Sequence, residues 1–296
     1  MNNFKTVALF FCAIAIVGFA AFQWGANKAE MDQTSTSKSS AKVTDLSREP
    51  SSAGDVTALN QIIYNAASTD KDKGQPEKID AMIKAIRAEA AKSSSTPAAK
   101  IYAAIVTPLP LFKGIIWRLR KLVEPIDAAY IFIINDLRIF KRNAERRAGY
   151  LNNLFDYFAD PNPGETITME YTDDGKVNTI TYQVPSRPWE HASEFQDFMA
   201  GTVAKVVGSQ TKALNQIADQ TVKSDPNTEL FLYDANLLFG TTFATNSPTK
   251  RFRKFMPGHL KAMVANLHLR MGIGYYLASY NLEATSWFMN SIATKT

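Results

Sequence analysis

Cysteine is almost missing from this chain: one residue in 296, Cys12, and it lies inside an apolar run. The remaining length therefore offers no disulfide, no thiolate metal ligand and no cysteine nucleophile. A thiol-poor body suits an oxidising compartment. Histidine is nearly as sparse, with His191, His259 and His268 only. None of these pairs at the i, i+4 spacing that would turn two imidazoles toward one zinc ion. His191 falls on an acidic helix, His259 at a helix start as a surface or capping residue, and His268 is expected to be packed. The glycines between Gly164 and Lys176 are not closed by the Lys-Ser/Thr pair of a phosphate loop. Gly208-Ser209-Gln210 lacks the second glycine of a serine elbow, and Asp173-Asp174-Gly175 is too short for a calcium loop. Glu190 and Glu194 read as favourable negative charge near a helix N-terminus rather than as an acid/base pair. No cofactor and no metal are expected.

A strong excess of either charge is missing too. The 33 basic and 28 acidic side chains leave +5, too little to require nucleic acid as a partner. Hydrophobic residues at 46% and charged ones at 21% are a globular balance, which excludes wholesale disorder.

Among what is present, the first feature is the run Val7 to Phe22, which carries no charge and follows a short head bearing Lys5. Basic and then apolar is the order of an export signal. Its length lies between a cleaved signal core, about 7 to 15 residues, and a spanning helix of about 20. Gly18 with Ala20 is the tidy pair for cleavage, while Trp24 beside the end of the run fits an interfacial anchor. Residues 1–24 are therefore read as signal peptide or membrane anchor. The Ser-, Thr- and Lys-rich stretch 25–55 follows as a flexible tether.

From Val56 the apolar spacing turns helical. Leu59, Ile62 and Ile63 form one stripe, and Ile79, Met82, Ile83 and Ile86 form another after Pro76. Together they read as a helical hairpin. The stretch Ile101 to Trp117 is apolar enough to suggest a span, but Pro108, Pro110 and Lys113 interrupt it. Phe112, Ile115, Ile116 and Leu119 then make an apolar face, with Lys113, Arg118, Arg120 and Lys121 mostly off it. Helix continues through Ile126–Phe158 and carries the basic cluster Arg138–Arg147. Asp160–Gly164 ends that helical run, giving a helical region over 56–160.

Residues 161–186 differ in kind. Thr166–Thr172 and Val177–Val184 are rich in Thr, Ile, Val and Tyr, and Asp173-Asp174-Gly175 between them is turn chemistry, so a β-hairpin is expected. Helix resumes over 187–296. Phe195, Phe198, Met199, Val203, Val206 and Val207 share a face, and Gly208 is expected to stop that helix. Further helices are expected near Thr211–Val222 and Thr228–Phe243. A basic, aromatic connector follows from Pro248 to Pro257, and a final helical pair from His259 to Ala293. The fold class is mainly α: helical hairpins in a repeat-like array, with one inserted β-hairpin.

In the final pair, Met271, Gly272, Tyr275, Ala284 and Phe288 stand at spacings that resemble a tetratricopeptide repeat, with Ser279-Tyr280-Asn281 as the turn. Phe239, Gly240 and Phe243 echo its first helix. The sequence departs from the pattern at His268, usually a large aromatic, and at Ser291, usually Ala. The resemblance covers the final fifth of the chain. It implies close approach of two antiparallel helices at Gly and Ala, and a concave surface for a peptide or another protein.

The functional expectation is an exported or membrane-anchored envelope protein, extracytoplasmic and periplasmic, that acts as a protein-interaction scaffold and not as an enzyme. Candidate partner-binding residues are Tyr275, Tyr276, Arg251, Arg253 and Lys254. The alternative is a membrane-surface protein in which Lys113, Trp117, Arg118, Arg120 and Lys121 meet anionic lipid. An enzyme without a recognisable motif is the third reading. Nucleic acid is not an expected partner.

Overall fold

A computed structural model describes residues 54–66, 75–123, 149–173, 175–224, 229–234 and 252–279. The apolar N-terminal run, most of the tether, the basic cluster Arg138–Arg147, the Phe239–Phe243 echo, Arg251, Ala284 and Phe288 lie outside the described residues.

The described chain is mainly helical, with two small antiparallel sheets. Helix α1 (Gly54–Asn65) and α2 (Glu77–Ala90) form the expected first pair, and their stripes are inside. Leu59, Ile63, Ile79, Met82, Ile83 and Ile86 are all buried. Helix α3 (Pro97–Val106) starts on Thr96, whose hydroxyl accepts the Ala99 N–H at 3.3 Å, with proline at the first helical position. Pro108 and Pro110 then tighten the chain into a 3-10 turn, Leu109–Phe112. Gly114, at φ +67°, turns the chain into α4 (Ile115–Val123). No single helix among the described residues is long and apolar enough to cross a membrane. The pair Pro97–Phe112 and Ile115–Leu122 would reach that length together, but it is bent by 47° at the break.

Helix α5 (Gly149–Ala159) packs on α2 and α4. Its Asn153 is fully buried and ties two chain segments together. The side-chain oxygen accepts the Gln75 N–H at 2.8 Å, and the amide donates to the Ala66 carbonyl at 2.7 Å. Both backbone groups would be left unpaired in the variant Asn153→Ala, at roughly 1–3 kcal/mol each. Urea unfolding is expected to show a loss of about 3 kcal/mol, and a loss below about 1 kcal/mol would contradict this role.

The hairpin forms as its sequence pattern predicts, from β1 (Thr166–Asp173) and β2 (Lys176–Gln183), with Gly175 at φ +77° in the turn. After it, α6 (Ala192–Phe198) passes through a π turn, Met199–Val203, into α7 (Ala204–Ser224). The π turn has a register reason. Phe198 and Val203 are both buried yet stand five residues apart, and i→i+5 bonding brings such a pair onto one face.

Gly208 does not stop this helix, contrary to expectation. A Cβ built there would lie 3.3 Å from the Met271 methyl, so the glycine makes room for the last helix, α8 (Pro257–Ser279), which packs along α7. The expected helix beginning at Thr228 is also corrected, because Phe231–Asp234 is a strand, β3. It pairs antiparallel with β4 (Phe252–Phe255), which takes up part of the expected connector. Phe231 stacks on Phe255 with ring centroids 4.7 Å apart, and Tyr233 is buried beside them. A four-residue strand burying alternate residues cannot be told from a helical turn by spacing alone.

Candidate functional site

Two surfaces drew attention in the sequence, the basic helix and the C-terminal helix. The fold treats the basic residues differently from one another. Arg118 is not on a solvated face: it is 0% exposed. Its guanidinium donates to the Leu111 carbonyl, to the Lys113 carbonyl at 3.0 Å and to the Tyr182 hydroxyl at 3.1 Å. The rings of Phe198, Trp189 and Tyr182 surround it, with centroids at 4.8, 5.2 and 5.6 Å from Cζ. Burial lowers its pKa, partly offset by Tyr182.

Lys113 is half-buried between Asp80 at 3.1 Å and Glu165 at 3.5 Å, over the Tyr157 ring. Burial would pull its amine down, but the two carboxylates outweigh this and raise it. Burial first, and then Asp80, push the Tyr157 phenol far up, and its hydroxyl donates to Asp80 at 2.9 Å. Lys121 is exposed and pairs with Glu190 at 2.7 Å, whose carboxyl is held low by that bond and by Arg187. Trp117 is half-buried and Arg120 exposed. The proposed lipid-facing set is therefore split: one cation is internal and two are paired with carboxylates.

In the C-terminal set, Tyr275 is 51% exposed on α8, and Leu269 on the same helix is 64% exposed. Tyr276 lies on α8 and Arg253 on β4. Lys254 is exposed and pairs with Glu229 at 3.1 Å. His268 is exposed rather than packed. Among the described residues nothing lies within 4 Å of a Cβ built on Gly272.

His259 does cap its helix. Nδ1 accepts the Met256 N–H at 3.1 Å, and burial lowers its pKa. Its folded value is below the unfolded one, so the unfolded chain takes up the proton first as pH falls. Stability is therefore highest above pH ~6.5 and declines below it. Melting temperature followed from pH 7.5 to 5 should fall less steeply in His259→Asn than in the parent. Equal slopes would contradict this.

The hairpin supplies what the sequence reading missed. Its register pairs Thr166 with Gln183 and Asp173 with Lys176. The Val184 N–H donates to the Glu165 carbonyl at 2.8 Å, which fixes the alternation: Ile167/Tyr182, Met169/Ile180 and Tyr171/Asn178 exchange the ladder bonds. Their side chains face the body, with Ile167 and Met169 buried. The other residues turn their backbone groups outward. On β1 that edge is covered at its turn end, where the Thr172 N–H donates to the Ser209 hydroxyl at 2.8 Å and Lys212 holds Asp173 at 3.1 Å, and it carries a charge, Glu170, further along the strand. On β2 the outward groups belong to Val177, Thr179, Thr181 and Gln183. Among the described residues no hydrogen bond reaches them, and all four side chains are exposed, Val177 by 68%. The strand alternation was legible in the sequence, but the cover at the turn end of β1 depends on Ser209 and Lys212, far along the chain.

Among the described residues no group of three His, Cys, Asp or Glu is placed to hold a metal. No family model, curated protein or solved structure matches this chain.

Proposed function

We propose that this protein is an interaction module whose work is to hold another polypeptide, presented outside the cytoplasm by the apolar N-terminal run and its tether. The observation that carries this reading is the outer edge of β2, which no hydrogen bond reaches among the described residues. It offers a row of backbone donors and acceptors, bordered by exposed Val177 and without a proline or a mid-strand charge. Such an edge is matched by an added strand. The exposed Leu269 and Tyr275 on α8 supply a second contact area of the kind the repeat resemblance implies. The membrane-surface reading loses support from the burial of Arg118 and from the carboxylate partners of Lys113 and Lys121.

Removal of everything after Pro257 is unsuitable as a test, because Leu260, Met263 and Val264 of α8 are core residues. The suitable variant is Thr181→Pro. The Thr181 N–H faces outward, so proline there leaves the β1–β2 ladder intact and blocks the edge. Crosslinked native membranes carrying tagged full-length chain should yield a specific protein partner. With Thr181→Pro its recovery should fall about tenfold. The same proteins at the same yield from both chains would refute the reading. Sequencing the captured chain's own N-terminus separates anchor from cleaved signal.

A further inference from the structure

The occupant of the β2 edge can be argued from the strand itself, and this rests on the reading above. We propose that β2 pairs antiparallel with β2 of a second copy, about a two-fold axis at Ile180, so that two hairpins join into one four-stranded sheet. The reasons are register, side-chain match and charge.

Only outward-facing residues can exchange bonds across the new edge, which restricts a two-fold pairing to a few registers. Centred on Ile180, the pairs are Val177 with Gln183 and Thr179 with Thr181, each occurring twice by symmetry. All four open positions of both copies are then used. A centre on Thr179 or Thr181 leaves one of the four outward positions without an outward partner on β2. The same register places Ile180 beside its own symmetry mate on the body-facing side, and Asn178 beside Tyr182. Thr179 and Thr181 meet on the outer side, where β-branched pairs are favourable. The one charge on the strand, Lys176, lies beyond the paired segment, so no like charges oppose one another. A mid-strand lysine, proline or bulge would prevent such pairing, and residues 177–183 contain no lysine or proline. The edge of β1 is the poorer candidate, because Ser209 takes the Thr172 N–H at its turn end and Glu170 places a charge at mid-strand.

Cysteine pairs read this register directly. In a full-length Cys12→Ser background, Thr179→Cys and Thr181→Cys would sit opposite one another across the axis, with Cα atoms about 5.5 Å apart. That is within disulfide range, about 4.4–6.8 Å. Each variant faces its own symmetry mate only diagonally, at about 8 Å, which is too far. Mild copper-catalysed air oxidation should therefore crosslink the mixture of the two and neither one alone. Thr168→Cys, on the exposed face of β1, controls for collision and should stay uncrosslinked. Sedimentation should show a concentration-dependent dimer in the parent, with its dissociation constant raised at least about tenfold by Thr181→Pro. Unfolding curves establish that this variant remains folded.

Crosslinking of either variant with itself, crosslinking of the control as fast as the mixture, or a parent chain that is monomeric at all concentrations would each overturn the pairing. A monomeric parent whose captured partner is still lost with Thr181→Pro would overturn self-pairing alone and leave the interaction-module reading standing.

Discussion

Arg118→Ala is expected to cost about 3–5 kcal/mol of folding stability, the largest effect of any single truncation considered for this chain. The residue is a fully buried cation, and its bonded partners are two backbone carbonyls and a phenol. Truncation removes the donors from Leu111, Lys113 and Tyr182 and opens a void among Phe198, Trp189 and Tyr182. The Leu111 and Lys113 carbonyls, in and just after the 3-10 turn, would be left without these donors, so the junction between α3 and α4 would loosen with the core. Arg118→Met separates the contributions. It fills much of the void but restores no donor, and a loss of about 2 kcal/mol is expected. Arg118→Lys keeps the charge yet cannot reach three acceptors at once from a single ammonium on a flexible stem, so it should resemble Met more than the parent. Because the guanidinium is shielded from solvent, added salt should leave these differences nearly unchanged. Guanidinium-free denaturation, by urea or heat, is the measurement. A loss for Arg118→Ala below about 1 kcal/mol would show that the cage tolerates an empty centre.

Gly114→Ala should lose about 3 kcal/mol or more, roughly 6–12 °C in melting temperature. Two independent causes act at this position. The left-handed backbone at φ +67° disfavours any Cβ, and a Cβ would meet both the Asn162 side-chain oxygen and the Asp160 carbonyl at 2.6 Å. The glycine cannot simply rotate away, because its N–H donates to the Tyr157 carbonyl and its own carbonyl accepts from the Arg118 N–H, both at 3.0 Å. Shortening the neighbour in Gly114→Ala/Asn162→Ala removes one obstacle and leaves the Asp160 backbone in place. The double variant should therefore recover only part of the loss. Full recovery would place the cause entirely in the Asn162 side chain.

Sequence pattern revealed the parts of this fold that obey one local rule at a time. The hairpin was legible because alternation and Asp-Asp-Gly turn chemistry agree, and α2 because its four apolar residues repeat at helical spacing. Gly208 was misread since a glycine that admits a neighbouring methyl looks, in one dimension, like a glycine that ends a helix. Four-residue strands such as β3 are too short for their period to declare itself. The misplacement of Arg118 has the same origin. A cation beside Arg120 and Lys121 reads as part of a solvated face, and only the arrival of Tyr182, Trp189 and Phe198 from 64 to 80 positions later (182 − 118 and 198 − 118) makes burial tolerable. At the candidate surface, the row of side chains was visible and the coverage of its edges was not, because coverage is a long-range property.

The clamp made by Asn153 has a consequence for the order of events as the chain emerges. Its partners, Ala66 and Gln75, are made 87 and 78 residues earlier, and Tyr157 reaches back 77 residues to Asp80. Helices α1 to α3 can form locally as soon as they are synthesised, but the junction between the first two has no lock until α5 arrives. Closure over such a distance is slow compared with helix formation. For the time needed to make those residues, at about 5–20 per second, α1 to α3 are a set of helices awaiting their keystone. It is in that interval, before native packing is complete, that a chaperone would find this protein easiest to grip.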